Sequence, residues 1–145
     1  MEKKIYGVEE FLSRPMKLEE EIRGDIDHIA SLRSIVEKTT TQLSFTAGRN
    51  PSKNEKTFEN VMIQISEEEE ALEEKKKELV SAKVAVEDLI SKVPDLKQRK
   101  VLRLKYISGM TMAEIMDILD LPRTTCRSLR DKAFAAATAQ YYALT

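Results

Sequence analysis

The feature that most constrains this chain is a series of apolar residues spaced seven positions apart through its middle third. The series consists of Phe58, Ile65, Leu72, Leu79, Val86 and Val93. Such spacing lays one apolar seam along an α-helix, and a second helix must cover that seam. The companion positions of the heptad hold Val61, Ala82 and Leu89 but are interrupted by Glu68 and Lys75. The pattern predicts a coiled-coil helix from about Thr57 to Lys92.

A weaker form of the same pattern precedes this helix. Its seam residues are Ile22, Ile29, Val36 and Leu43, and Asp25 and Thr39 interrupt the companion positions. We expect Pro15 to separate this helix from the residues before it, because proline cannot continue the hydrogen-bond ladder. The sequence therefore predicts a short N-terminal segment at 1–15, followed by a helix from about Met16 to Leu43.

Residues 44–56 contain Gly48 and Pro51 among small polar residues and have no apolar period, so they predict a loop. Two helices joined by one loop most simply form an antiparallel hairpin, here over residues 16–93. A two-helix hairpin has little core of its own. We therefore expect a homo-oligomer formed through the coiled coil, or docking of the terminal segments.

Three further helices are predicted within a domain at 94–145. Asp95 and Gln98 can cap a helix from Leu96 to Ser108, which Gly109 would end in the left-handed conformation. Thr111 and Glu114 form a capping box for a helix from Met112 to Leu119, which we expect to bury Ile115, Ile118 and Leu119.

The turn Asp120-Leu121 leads to a last helix that begins at Pro122, a residue suited to the first helical position. Its inward face comprises Cys126, Leu129, Ala133 and Phe134. The predicted fold class is therefore all-α, with a long antiparallel coiled-coil helical hairpin followed by a C-terminal three-helix domain containing a helix-turn-helix.

The outward face of the last helix carries the residues that predict a function. They are Arg123, Thr124, Thr125, Arg127, Ser128, Arg130 and Lys132. Arginine can bind guanine through two hydrogen bonds, and threonine or serine can bond base edges or phosphates. Arg130 and Lys132 lie further along the helix, where phosphates are the expected contact. The pattern predicts a helix that enters the major groove of double-stranded DNA. A three-helix bundle with a charged surface is the alternative.

The distribution of charge along the chain agrees with this prediction. The chain has a formal net charge of −1, whereas residues 95–145 contain nine Lys or Arg against five Asp or Glu. Cations are thus concentrated in the domain predicted to meet phosphates.

Residues 95–137 resemble the fourth conserved region of bacterial sigma factors, through Thr111-Met-Ala-Glu-Ile and Asp120-Leu-Pro-Arg-Thr-Thr-Cys-Arg-Ser-Leu-Arg-Asp-Lys-Ala-Phe134. The resemblance implies binding to a promoter −35 element and contact with RNA polymerase. Thr124 and Ser128 stand where primary members have Glu and Gln, so a different DNA sequence should be read. The chain has no counterpart of the second sigma region. Its overall plan resembles small phage and prophage sigma-like transcription regulators.

Two other functions compete with a transcription regulator. One is a subunit similar to a phage small terminase, which also pairs a helix-turn-helix with a helical hairpin. The other is a coiled-coil adaptor that binds RNA polymerase without touching DNA. Solution mass and DNA binding distinguish these possibilities.

The sequence contains few residues suited to catalysis or to a cofactor. It has one Cys and one His, and it lacks a phosphate-binding glycine loop, a nucleophile elbow and a set of metal ligands. We expect no enzyme activity, no cofactor and no metal. Without a long apolar run or a signal-peptide core, we expect a cytoplasmic protein with no membrane partner.

Overall fold

The computed structural model of the chain describes residues 2–45 and 51–144, with side chains at 7–41 and 55–143. These ranges form five α-helices: α1 (Glu2–Phe45), α2 (Pro51–Ser91), α3 (Leu96–Leu102), α4 (Met112–Leu119) and α5 (Arg123–Leu144). A π-helical turn at Arg103–Ile107 follows α3 directly. These ranges contain no β-strand, which confirms the all-α fold class. No helix in the described part of the chain has the length and apolarity needed to cross a membrane.

The chain divides into two compact units. The hairpin unit is Glu19–Glu78, and the terminal unit combines Met1–Leu18 with Leu79–Thr145. These bounds differ from the domains at 1–15, 16–93 and 94–145 expected from the sequence, since the N-terminal residues and the end of α2 cluster with the C-terminal helices.

The hairpin unit consists of the facing portions of α1 and α2. Its seam residues Ile22, Ile29, Leu32, Ile65 and Leu72 keep only 5–8% of their surface exposed. The helices are antiparallel: Lys75 contacts Asp25, whereas Arg33, further along α1, pairs with Glu69, which lies earlier in α2. The seam predicted from heptad spacing is thus present. The side chain of Leu43, predicted to continue it, lies outside the described side chains.

Two of the polar residues that interrupt the seam, Asp25 and Lys75, contact each other. Lys75 Nζ lies 2.7 Å from Asp25 Oδ2 and 3.9 Å from Glu21 Oε2. The hydrogen bond to Asp25 raises the pKa of Lys75, an effect that its partial desolvation opposes. Of the remaining two interruptions, Glu68 lies 3.2 Å from His28 Nε2, and the Thr39 hydroxyl donates to Ile35 O of its own helix at 2.8 Å. Paired polar residues at such positions specify the register of two helices at some cost in stability.

The terminal unit has the more completely buried core. Its fully buried cluster consists of Val8, Leu12, Val86, Leu89, Ile90, Val93, Leu102, Tyr106, Ala133 and Ala137. Residues from the start of α1, the end of α2, α3, the π-helical turn and α5 therefore share one core. The alanines of α5 let the other helices approach closely, and the rings of Phe11 and Tyr141 meet at a centroid distance of 5.4 Å.

The helix break expected at Pro15 is wrong, because α1 runs through this proline without interruption. Proline inside a helix costs about 3 kcal/mol. Here Pro15 is itself buried and in heptad phase with Val8 and Ile22, both of which are buried. Burial of this continuous apolar stripe offsets the lost hydrogen bond.

The predicted loop at 44–56 was too long. Helix α1 extends to Phe45 and α2 begins at Pro51, while residues 46–50 of that prediction lie outside the described residues. Pro51 occupies the first helical position, where its missing N–H has no consequence. The residues after it are polar but compatible with a helix, so the absence of an apolar period did not indicate a loop.

The helix predicted from Leu96 to Ser108 is also altered. It is α-helical only to Leu102, and Ser108 N–H then donates to Arg103 O at 2.9 Å, a π-type bond. Gly109 follows with φ 68°, the left-handed conformation expected of it. Asp95 is the N-cap residue, but its side chain makes no capping hydrogen bond. Arg99 instead anchors this end of α3, donating to Val93 O at 2.7 Å.

Candidate nucleic-acid interface

Helix α4 begins and ends as the sequence predicts. Glu114 N–H donates to Thr111 Oγ1 at 3.3 Å, and the Thr111 hydroxyl lies 3.2 Å from Glu114 Oε1. At the other end, Asp120 takes the left-handed conformation with φ 53°, and Leu121 N–H donates to Met116 O at 3.2 Å. Aspartate tolerates this conformation better than most residues. The sharp turn sets α5 against α4.

The inward face of α5 is fixed by small residues. Cys126 and Ala133 are fully buried, and Cys126 Sγ lies 3.4 Å from Met112 Sδ of α4. Cys126 is thus a core residue, as expected from its spacing. Ile115 anchors α4 with no exposed surface, but the expected burial of Ile118 is wrong, since 48% of this residue is exposed. Leu119 is half-buried.

With this inward face fixed, the seven predicted site residues do not all share one side of α5. Arg130 lies one turn from both Cys126 and Ala133 and close enough to the buried Tyr106 to affect its pKa, so it belongs to the inward side. Six of them are exposed: Arg123, Thr124, Thr125, Arg127, Ser128 and Lys132. Arg130 is half-buried, and its guanidinium contacts Asp131 at 3.1 Å.

Two flanks can be distinguished on this face. The arginine flank lines a hollow shared with α4, formed by Met112, Ala113, Met116, Asp117, Arg123, Arg127 and Arg130. The threonine flank lines a second hollow, formed by Lys97, Leu121, Thr124, Thr125, Ser128, Leu129 and Lys132. The sequence predicted one outward face, and the structure divides it between guanidinium groups on one side and hydroxyl groups on the other.

The charges on the arginine flank are available to a ligand. Within the described residues, neither Arg123 nor Arg127 forms an ion pair or a side-chain hydrogen bond, and both are exposed. Guanidinium groups of this kind bind phosphate or the paired acceptors of guanine. By contrast, the Arg130 side chain is held beside Asp131, so it has less freedom to reach a base.

Two charged residues of these hollows, Lys97 and Asp117, are absent from the site predicted from the sequence. Lys97 belongs to α3 yet lies beside the threonine flank, and Asp117 of α4 lies within the arginine hollow. Both are distant in sequence from α5. The position of Asp117 could have been predicted, because it lies four residues after Ala113 on the exposed side of α4. Nothing in the sequence around Lys97 indicates that it lies beside α5.

Across 2–45 and 51–144, no group of three His, Cys, Asp or Glu residues is placed to hold a metal ion. The most perturbed group is Tyr106, whose pKa is raised well above its ordinary value by burial and by the Glu9 carboxylate. Its hydroxyl donates to Glu9 Oε2 at 3.3 Å, which is a structural contact in the core.

One family of proteins matches the chain. A family model described as a protein of unknown function, DUF1492, matches residues 46–137, and this range includes α2, α3, α4 and most of α5. Neither a search of the curated proteins nor a search of the solved structures returned a significant match. The family match therefore covers the complete candidate interface and carries no functional description of its own.

Proposed function

The chain belongs to the DUF1492 family of unknown function, and on that premise we propose that it is a DNA-binding transcription regulator whose α5 enters the major groove. The observation that carries this proposal is the exposed face of α5. It presents the guanidinium groups of Arg123 and Arg127, which have no ion-pair partner among the described side chains, beside a row of hydroxyl side chains. This combination provides groups for base edges and for phosphates on one helix.

The finer assignment is a sigma-like regulator of a phage or prophage that acts at promoters together with RNA polymerase. It is supported by the sigma-like residues at 95–137, which end where the family match ends. The short α4, the left-handed Asp120 and the outward face of α5 have the layout of a helix-turn-helix. The proposed partners are double-stranded DNA and RNA polymerase.

A homo-oligomer formed through the hairpin unit is part of the proposal. The hairpin unit exposes several large apolar side chains, namely Ile26, Ile35, Met62 and Ile63, each with 44–56% of its surface accessible. Light scattering coupled to size exclusion measures the mass. A ring of about eight to ten copies would favour the packaging-subunit alternative over a regulator.

DNA binding is tested with the full chain and a pool of randomised duplexes, followed by fluorescence anisotropy on the selected sequence. We expect the double variant R123A/R127A to lose about 1–3 kcal/mol for each arginine that contacts a base. Single-base changes in the duplex should matter less to this variant than to the wild type.

The matched control is R23A/K38A, which removes two exposed cations from the hairpin unit and leaves the same net charge as the test variant. It should bind nearly as tightly as the wild type. Absence of duplex binding at about 50 mM salt, or an equal loss in both double variants, would refute the proposed interface. Polymerase capture that persists in R123A/R127A without any DNA binding would instead support the adaptor.

A further inference from the structure

A second surface of the terminal unit is apolar and adjoins the threonine flank of the proposed DNA contact. Leu96, the first residue of α3, is 67% exposed, and Ile118 of α4 is 48% exposed. Together with Leu119, Leu121 and Leu129 they surround a hollow of about 340 Å³. We refer to these five residues as the leucine hollow.

The exposure of these side chains is not required by the local fold. Leu96 occupies the first position of a helix, which a charged residue fills equally well, and Ile118 points away from the core that Ile115 fills. Single exposed apolar residues are common on protein surfaces, but a contiguous group around one hollow indicates an interaction site.

The rim of the leucine hollow has one sign of charge. Lys97 and Lys100 are its only charged lining residues, both are exposed, and neither has an ion pair among the side chains described at 7–41 and 55–143. An apolar floor with a cationic rim complements an amphipathic helix that carries acidic residues beside its apolar anchors.

We propose that the leucine hollow binds an acidic amphipathic helix of a partner protein. The apolar anchors of that helix cover Leu96 and Ile118, and its carboxylates pair with Lys97 and Lys100. This site is separate from the arginine flank of α5, and binding of the helix does not require DNA. The occupant adjoins the threonine flank, because Lys97, Leu121 and Leu129 line both hollows.

Other occupants of the hollow predict different behaviour. A second copy of the chain would make the solution mass depend on Ile118. DNA would use the lysines alone, so apolar substitutions in the floor would not matter. The partner helix is favoured here because it uses both the apolar floor and the cationic rim.

The test is selection of peptides from a random 16-residue display library on the full-length protein, without DNA. Counter-selection uses the I118E variant. We expect the recovered peptides to have a negative net charge and apolar residues at helical spacing. A fluorescent copy of a recovered peptide should bind I118E at least about tenfold more weakly, since burial of one aliphatic side chain is lost. It should also bind K97E/K100E several-fold more weakly.

Three controls keep this result specific. Circular dichroism and thermal melting check that I118E folds, and L96S provides a second floor variant at a position so exposed that folding should be unaffected. R123A/R127A should bind the peptide like the wild type, so the site can exist even if the proposed DNA contact fails. Three results would overturn the proposal. The recovered peptides could be basic or unpatterned, I118E and L96S could bind the peptide as tightly as the wild type does, or the solution mass of the wild type could fall in I118E.

Discussion

Truncation of Leu12 to alanine tests whether the first turns of α1 belong to the core of the terminal unit. Leu12 is fully buried and lies in one cluster with Ile90 of α2 and Ala133 of α5. Leucine-to-alanine changes in cores cost about 2–5 kcal/mol, and the cost is larger where neighbours cannot move into the cavity. Three helices hold this site, and the alanine of α5 cannot extend into the space.

We therefore expect Leu12→Ala to lower the free energy of unfolding by about 3–4 kcal/mol, which corresponds to a melting temperature lower by about 10 °C. The assay is urea unfolding followed by tyrosine fluorescence. It reports on the relevant unit, because the chain has no Trp and its four Tyr fall within the residue ranges of the terminal unit.

The matched control is Leu96→Ala, the same chemical change at a residue that is 67% exposed. It should change the free energy of unfolding by no more than about 0.5 kcal/mol. A loss below about 1 kcal/mol for Leu12→Ala, or equal losses in the two variants, would mean that the N-terminal turns do not share this core.

Three further predictions follow from local features. Replacing both Asp25 and Lys75 with leucine should raise the melting temperature and broaden the mass distribution measured by light scattering, because the polar pair that specifies register is lost; one unchanged mass would contradict this role. Because the pKa of Tyr106 is raised from 10.0, the stability it contributes is complete below pH 10 and falls above it. The urea midpoint of Tyr106→Phe should therefore fall less steeply above pH 10, and parallel curves would refute the assignment. Asp120→Gly should stabilise the chain by up to about 1 kcal/mol and Asp120→Val should destabilise it, because φ is 53°; urea midpoints in the opposite order would contradict this.

The hairpin could be predicted because heptad spacing is a local signal. The seam of α2 follows from residues such as Ile65 and Leu72, whose periodicity specifies both the helix and the side it buries. Periodicity does not say which element covers a face. In α1, the seven-residue spacing of Ile22 and Ile29 extends back through Pro15 to Val8. The usual cost of a proline inside a helix argued against this continuity. Only the packing of these residues in the terminal unit explains why the helix continues.

The candidate interface was predictable to a similar degree. Buried residues seven apart, such as Cys126 and Ala133, determine which side of α5 faces outward, so the exposed Arg123 and Arg127 follow from sequence. The contribution of Lys97 does not follow, because it depends on how α3 packs against α5. The exposure of Ile118 was also missed, since an apolar residue at helical spacing is usually part of a core.

The contact between Asp25 and Lys75 also limits how the two long helices can slide past each other. A displacement by one heptad would restore the apolar seam almost perfectly, so leucine and isoleucine alone discriminate poorly between such alignments. In the displaced arrangement, the Lys75 ammonium group would face Leu18 or Leu32 and lose its hydrogen bond to Asp25. The Asp25–Lys75 pair thus favours one alignment of the two helices over others that would bury the apolar seam nearly as well.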